Sequence, residues 1–199
     1  MRVELPELLL SDATVWRAWL QAHHDSSPGV WLVLHRKGGT LTSLTYEQAV
    51  LEALCFGWID GQAGRRDEQS YRQRMTPRTP RSPWSQNNVE RVARLEREGR
   101  MTPAGRAAVD AAKADGRWAR AYAGPATMEV PEDLGAALAA SPAARAAFDS
   151  LSSTNRYAIL YRTYAAKRAE TRARRIAEFV AMLERGETVY PQRRSVTDQ

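Results

Sequence analysis

The sequence predicts an α+β fold: a small, mostly antiparallel sheet with helices in the N-terminal half, then an all-helical C-terminal half ending in an αα-hairpin. Three observations predict it. Val30-Trp-Leu-Val-Leu34 is a continuous β-rich run, and Tyr71 to Met75 alternates with the two-residue period of a strand, Arg72 and Arg74 on one face. Thr76-Pro-Arg-Thr-Pro-Arg-Ser-Pro83 sets a proline at every third position, which favours an extended polyproline-like path and marks a boundary. Beyond it the chain carries only helix signals: caps, apolar residues at helical spacing and glycine stops. The expected division is an α+β domain over 1–84, a helical region over 85–190 whose hairpin spans 148–185, and a flexible tail over 191–199.

Each element has its own signal. Ser11 is placed to cap a first helix through Val15, Trp16, Trp19 and Leu20, which stops at Asp25-Ser-Ser-Pro-Gly29. After the strand at 30–34, Lys37-Gly-Gly-Thr40 reads as a turn. Thr45 and Gln48 form a capping box for a helix that buries Ala49, Val50, Ala53 and Leu54 and ends at Gly57. Trp58-Ile-Asp60 is a short strand turning at Asp60-Gly61, and 70–76 is its neighbour. Ser85 caps the next helix, Thr102-Pro103 opens another, and Pro131 and Ser141-Pro142 open two short ones. In the terminal hairpin, Tyr157, Tyr161 and Tyr164 share a face expected to pack on Ile176 and Phe179, and residues after Gly186 are expected to fray.

Composition narrows the function classes. With 43% hydrophobic and 26% charged residues the 199-residue chain has the makings of a core, so disorder throughout is excluded. No apolar run approaches the roughly 18 residues of a membrane span, and the opening MRVELPELLLSD is too short in apolar residues for a secretory signal. The single cysteine forms no internal disulfide, and with three histidines it makes no metal set, so no metal and no cofactor are expected and the setting is cytoplasmic. The net charge of +6 is unevenly spread: residues 1–64 hold four bases against seven acids, whereas 69–88 holds four arginines and no acid. Residues 156–175 hold seven bases and one acid. Such fields attract anions and repel cationic partners.

Catalytic signatures are missing: no GxSxG, Walker loop, GxGxxG or HExxH occurs. No catalytic residue is therefore named, and Cys55 and the histidines are read as structural. The stretch from Gly57 to Asn88 differs in kind. Trp58, Asp60, Arg74, Arg78, Trp84, Ser85 and Asn88 bring aromatic walls, guanidinium forks, one carboxylate and a helix N-terminus within about thirty residues, the chemistry of an anion pocket. The competing structural reading makes the tryptophans core and Asp60 one half of a bridge. Lys167, Arg168, Arg172 and Arg175 form a second basic edge, open to an anion or a partner.

Several blocks resemble the YdeI/OmpD-associated family: Gly29-Val-Trp-Leu-Val33, Glu52-Ala-Leu-Cys-Phe-Gly-Trp-Ile-Asp-Gly61, Ser82-Pro-Trp-Ser85, Asn155-Arg-Tyr157 and Ala166-Lys167 with Glu170-Thr-Arg-Ala-Arg-Arg-Ile176. The resemblance runs over roughly 12–190. It implies a bacterial protein associated with stress or antimicrobial resistance (bacteriocin protection in the family's label), and it supplies no catalytic residues. The resulting expectation is a protein that binds a small anionic or neutral ligand in the aromatic and arginine-lined pocket. The weaker alternatives are nucleic-acid binding through Thr76–Pro83 and the arginine-rich last helix, or an adaptor for a protein partner. The oligomeric state is not legible.

Overall fold

The computed structural model describes residues 4–192. A two-residue strand, β1 (Glu7–Leu8), precedes α1 (Ala13–His23). The cap of α1 is Asp12, not Ser11: its carboxylate accepts the N–H groups of Thr14 and Val15, and the Ser11 hydroxyl donates to that carboxylate. A carboxylate takes both orphan amides and suits the positive helix end, so it outcompetes the hydroxyl beside it. β2 (Val30–His35) follows, then α2 (Tyr46–Cys55), whose Thr45–Gln48 capping box forms as expected. Gly57, at φ +73°, turns the chain directly into β3 (Trp58–Arg65).

β3 does not turn at Asp60-Gly61. A bulge between Asp60 and Ala63 absorbs the irregularity and the strand continues to Arg65. The reversal comes at Asp67, whose carboxylate collects the N–H groups of Gln69 and Ser70 and the Ser70 hydroxyl. β4 (Ser70–Pro77) closes a four-stranded sheet of order β1-β2-β4-β3, with β1 parallel to β2 and the other pairs antiparallel. Val30 pairs with Met75, Leu32 with Gln73 and Leu34 with Tyr71 on the inner face, while Trp31 with Arg74 and Val33 with Arg72 lie on the other.

The inner face carries α1 and α2, joined by α3 (Gln86–Arg97) and α4 (Pro103–Ala114). Trp16, Leu20, Leu32, Met75, Val50, Leu54, Val92, Leu95 and Val109 form one continuous core. The start of α4 is pressed onto the end of α2. Thr102 donates its hydroxyl to the Cys55 carbonyl at 2.6 Å, and a Cβ at Gly105 would stand 2.3 Å from that same oxygen. The chain accordingly divides between Tyr122 and Ala123, where the sequence reading placed the break after Trp84. The reason is burial: Trp84 is 2% exposed, and α3 and α4 complete the core that the sheet begins.

The second unit holds α5 (Glu132–Ala139), α6 (Pro142–Asp149), α7 (Ser153–Ala165) and α8 (Ala169–Glu184). Its core is Leu134, Leu138, Phe148, Ile159, Leu160, Ile176, Phe179 and Leu183. The tyrosine stripe of α7 is only half-buried, and Ala158, Ile159, Leu160 and Thr163 take the inner face instead. Three of these four side chains are aliphatic, and the buried Thr163 hydroxyl has no hydrogen-bond partner among the described residues. Nor does the chain fray directly after Gly186. Asn155 accepts the Tyr190 N–H at 2.8 Å and donates to the Tyr190 carbonyl and the Gln192 amide oxygen. Residues 193–199, the end of the expected tail, lie outside the described residues. Among the described residues no helix is long and apolar enough to cross a membrane.

Candidate functional site

The site begins where β4 ends. Trp58 pairs with Pro77, and the next residue, Arg78, donates its backbone N–H to the Gly57 carbonyl at 2.9 Å. The proline-spaced segment then closes into a turn and is not an extended polyproline path. Ser82 donates its N–H to the Thr79 carbonyl and accepts the Thr79 N–H on its hydroxyl, both at 2.9 Å, around a proline suited to the second turn position. Arg117 braces this turn, donating Nη1 to the Ser82 carbonyl at 3.0 Å while its Nη2 holds Asp115 at 2.7 Å.

The turn brings Trp84 back beneath Arg78. The guanidinium carbon stands 3.5 Å from the Trp84 ring centroid, and Nη1 donates to the Pro83 carbonyl at 3.0 Å. Nε and Nη2 of Arg78 are buried and have no hydrogen-bond partner among the described residues, and neither has the buried Nε1 of Trp84. Burial pulls the Arg78 guanidinium down to about 10; Asp60 and Tyr122 oppose that shift and Arg117 adds to it. The edge of Trp84 meets Trp118 at 4.8 Å between centroids. Tyr122 is tied into the same corner by its N–H on the Trp84 carbonyl and its own carbonyl on the Gln86 N–H.

Asp60 comes from β3, on the face that carries Trp58 and Met75. Its Oδ2 accepts the Tyr46 hydroxyl at 2.7 Å, and the phenol is pushed up, first by burial and then by the Asp60 charge. Arg91 of α3 sits within the Asp60 field but is otherwise engaged. Its Nε and Nη2 grip both oxygens of Glu47, and its Nη1 donates to Asn88 at 2.9 Å. Asn88 in turn donates its backbone N–H to the Ser85 hydroxyl, the cap of α3.

The structure thus gathers Asp60, Arg78 and Trp84, with Ser85 and Asn88 as the scaffold behind them. It separates two of the expected residues. Trp58 is a core residue: it is 1% exposed, donates its indole N–H to the His24 carbonyl at 3.0 Å and meets Trp16 and Trp19 edge-on. Arg74 is exposed on the opposite sheet face, beside Trp31. Sequence reasoning missed Tyr46, Arg91, Arg117 and Tyr122, which lie far from Arg78 along the chain. Only the polar outer face of α2, where Tyr46 and Glu47 stand, hinted at them.

The second basic edge is partly consumed within its own unit. Arg172 places Nε and Nη2 on the Asp133 carboxylate at 2.5 and 2.8 Å and Nη1 on the Thr163 carbonyl at 2.7 Å. Arg175 donates to the Arg162 carbonyl at 2.6 Å. Lys167 and Arg168 are exposed, the former 4.7 Å from the Tyr164 ring centroid. Among the described residues, no group of three His, Cys, Asp or Glu side chains is placed to hold a metal ion. Cys55 is a buried free thiol, pushed up by its burial.

Comparison with known proteins returns two family models. Residues 8–108 match one described as a domain of unknown function (DUF8412). Residues 127–186 match another, described as Bacteriocin-protection, YdeI or OmpD-Associated. No curated protein and no solved structure matches the chain.

Proposed function

Because the chain belongs to the DUF8412 family, and its second unit to the YdeI/OmpD-associated family, we propose that it is a small-ligand-binding protein whose first unit takes an anion at Arg78. One observation carries this reading. The Nε–Nη2 edge of a guanidinium is a planar fork matched to two acceptor oxygens. Arg91 uses that edge on Glu47 and Arg172 uses it on Asp133, whereas on Arg78 the same edge is buried and has no acceptor. A buried donor without an acceptor costs about 1–3 kcal/mol, which a bound carboxylate would recover. The Trp84 ring holds the fork flat and adds a third unpartnered donor at its edge.

The second unit's family is described by bacteriocin protection, which supports a role in antimicrobial resistance; that the role is exercised in the cytoplasm and through the bound ligand belongs to the proposal. A thermal-shift screen of small carboxylates, phosphates and sugar phosphates, at low and high salt, tests the site. A ligand at about 100 times its dissociation constant stabilises the fold by about 2.7 kcal/mol. The expected result is a salt-tolerant shift from a carboxylate that disappears in Arg78→Ala. A shift that survives in Arg78→Ala places the ligand elsewhere.

A further inference from the structure

We propose that the ligand is zwitterionic, an amino carboxylate whose acid group docks on Arg78 and whose amino group docks on Asp60; this rests on the anion reading of Arg78 given above. The argument is one of charge pairing around the site. Two of the cations that bear on it are matched: Arg91 holds Glu47 and Arg117 holds Asp115. Glu47 and Asp115 are thereby matched as well. What remains is one guanidinium with two buried unpartnered donors, Arg78, and one carboxylate, Asp60, whose only hydrogen bond among the described residues comes from a neutral hydroxyl.

Asp60 and Arg78 feel one another's charge, yet they form no ion pair among the described residues. Their backbones explain the separation. Arg78 is pinned by its N–H to Gly57 and drawn down onto Trp84, while Asp60 is drawn toward α2 by Tyr46. Two opposite charges, held near each other and kept from closing, present a cationic pole and an anionic pole to one ligand. A plain carboxylate would satisfy Arg78 and set its own charge against Asp60, since like charges near one another raise the cost of both. A dianionic phosphate would do so twice over. A molecule with a carboxylate and an ammonium answers both poles and leaves the two groups with no net change in charge. Tyr46 serves as the positioning residue: its raised proton affinity keeps the hydroxyl a donor to Oδ2, which leaves Oδ1 for the ammonium.

The test compares matched probes on the full chain by thermal shift and calorimetry. Each L-amino acid, β-alanine and 4-aminobutyrate is set beside the acid lacking its amine and the amine lacking its carboxylate. The first group against the latter two zwitterions reads the spacing between the poles. The expected result is that at least one zwitterion binds about tenfold or more tighter than its deamino acid. In Asp60→Asn that advantage vanishes while the deamino acid binds as well as before or better. Tyr46→Phe, which keeps the carboxylate and removes its positioning bond, should lose part of the advantage and leave deamino acid binding intact. Deamino acids that bind as tightly as zwitterions overturn this inference and leave the anion site standing. Silence from zwitterions and deamino acids alike overturns both readings.

Discussion

Arg78 lies flat on Trp84, 3.5 Å from its ring centroid, and both side chains carry buried N–H groups that no acceptor meets. Stacking of this kind fixes the plane of a guanidinium and so the direction in which its donors point. Desolvated donors without acceptors cost stability.

Removal of Arg78 therefore separates binding from folding. Arg78→Ala should weaken carboxylate binding by about 100-fold or more, while the melting free energy changes by no more than about 1 kcal/mol. Arg78→Lys should fail to restore affinity, because an ammonium offers no planar fork. Calorimetry beside chemical denaturation reads both quantities. A large loss of stability in Arg78→Ala would make the stack a structural bridge.

The lowered proton affinity of Arg78 predicts a pH profile. Burial brings the folded value down to about 10, well below the ordinary guanidinium range, so the penalty of the buried charge is present below about 10 and is relieved as pH rises above it. Ligand affinity runs the other way. It should be level from neutral pH to about 9 and fall as pH passes through 10. Carboxylate affinity measured across that range, with Arg78→Ala as the flat control, checks the sign.

Trp84→Phe keeps an aromatic ring beneath the guanidinium and deletes the unpartnered indole N–H. Its stability should match the parent within about 1 kcal/mol, and ligand affinity should drop if the indole donates to the bound acid. Trp84→Ala opens a cavity in the core and should cost about 3–5 kcal/mol in a denaturant titration.

Gly105→Ala tests the junction of α2 and α4. Its Cβ would stand 2.3 Å from the Cys55 carbonyl oxygen, a backbone atom that is also bound by Thr102, so the helices must separate. A loss of about 2 kcal/mol or more is expected, against a gain of under 1 kcal/mol at an open helical glycine.

In the second unit, the Arg172 fork holds the Asp133 carboxyl below its ordinary 3.8, by its hydrogen bonds first. A carboxylate with a lowered folded value contributes in full above 3.8 and loses its contribution as pH falls through the folded value. The pair is exposed, so Asp133→Asn should cost only about 0.5 kcal/mol at pH 7, and the gap between the two proteins should close in melts run below pH 3.8.

Local signals in this chain were read well where one residue type answers one backbone demand. Thr45 and Gln48 cap α2, Thr102-Pro103 opens α4, and Gly57 stops a helix, because each involves atoms only a few residues apart. They failed where two local options compete. Ser11 and Asp12 both offer a cap, and the charged one won. The prolines of 76–83 allow both an extended path and a turn, and the Ser82 hydroxyl decided for the turn.

The site was half legible for the same reason. Arg78, Trp84 and Asp60 stood out as arginine, tryptophan and carboxylate within about thirty residues, the arginine and tryptophan in a stretch, 69–88, that holds no acid. Both tryptophans are buried in one core, and what distinguishes them is where each indole N–H finds an acceptor. Trp58 reaches the His24 carbonyl, 34 residues away, and Trp84 reaches none. Arg74 left the group because strand pairing puts it opposite Trp31, on the outer face.

The sequence by itself determined the α+β class, the helical second half, most helix ends and the family resemblance of the terminal hairpin, since all of these rest on periodicities and caps local to the chain. Only the tertiary structure decided that α3 and α4 belong with the sheet, that Tyr46, Arg91 and Arg117 border the site, and that two neighbouring opposite charges stay unpaired. Those outcomes depend on which donors and acceptors meet across tens of residues, and burial converts each meeting or miss into a kilocalorie-scale effect that no local pattern encodes.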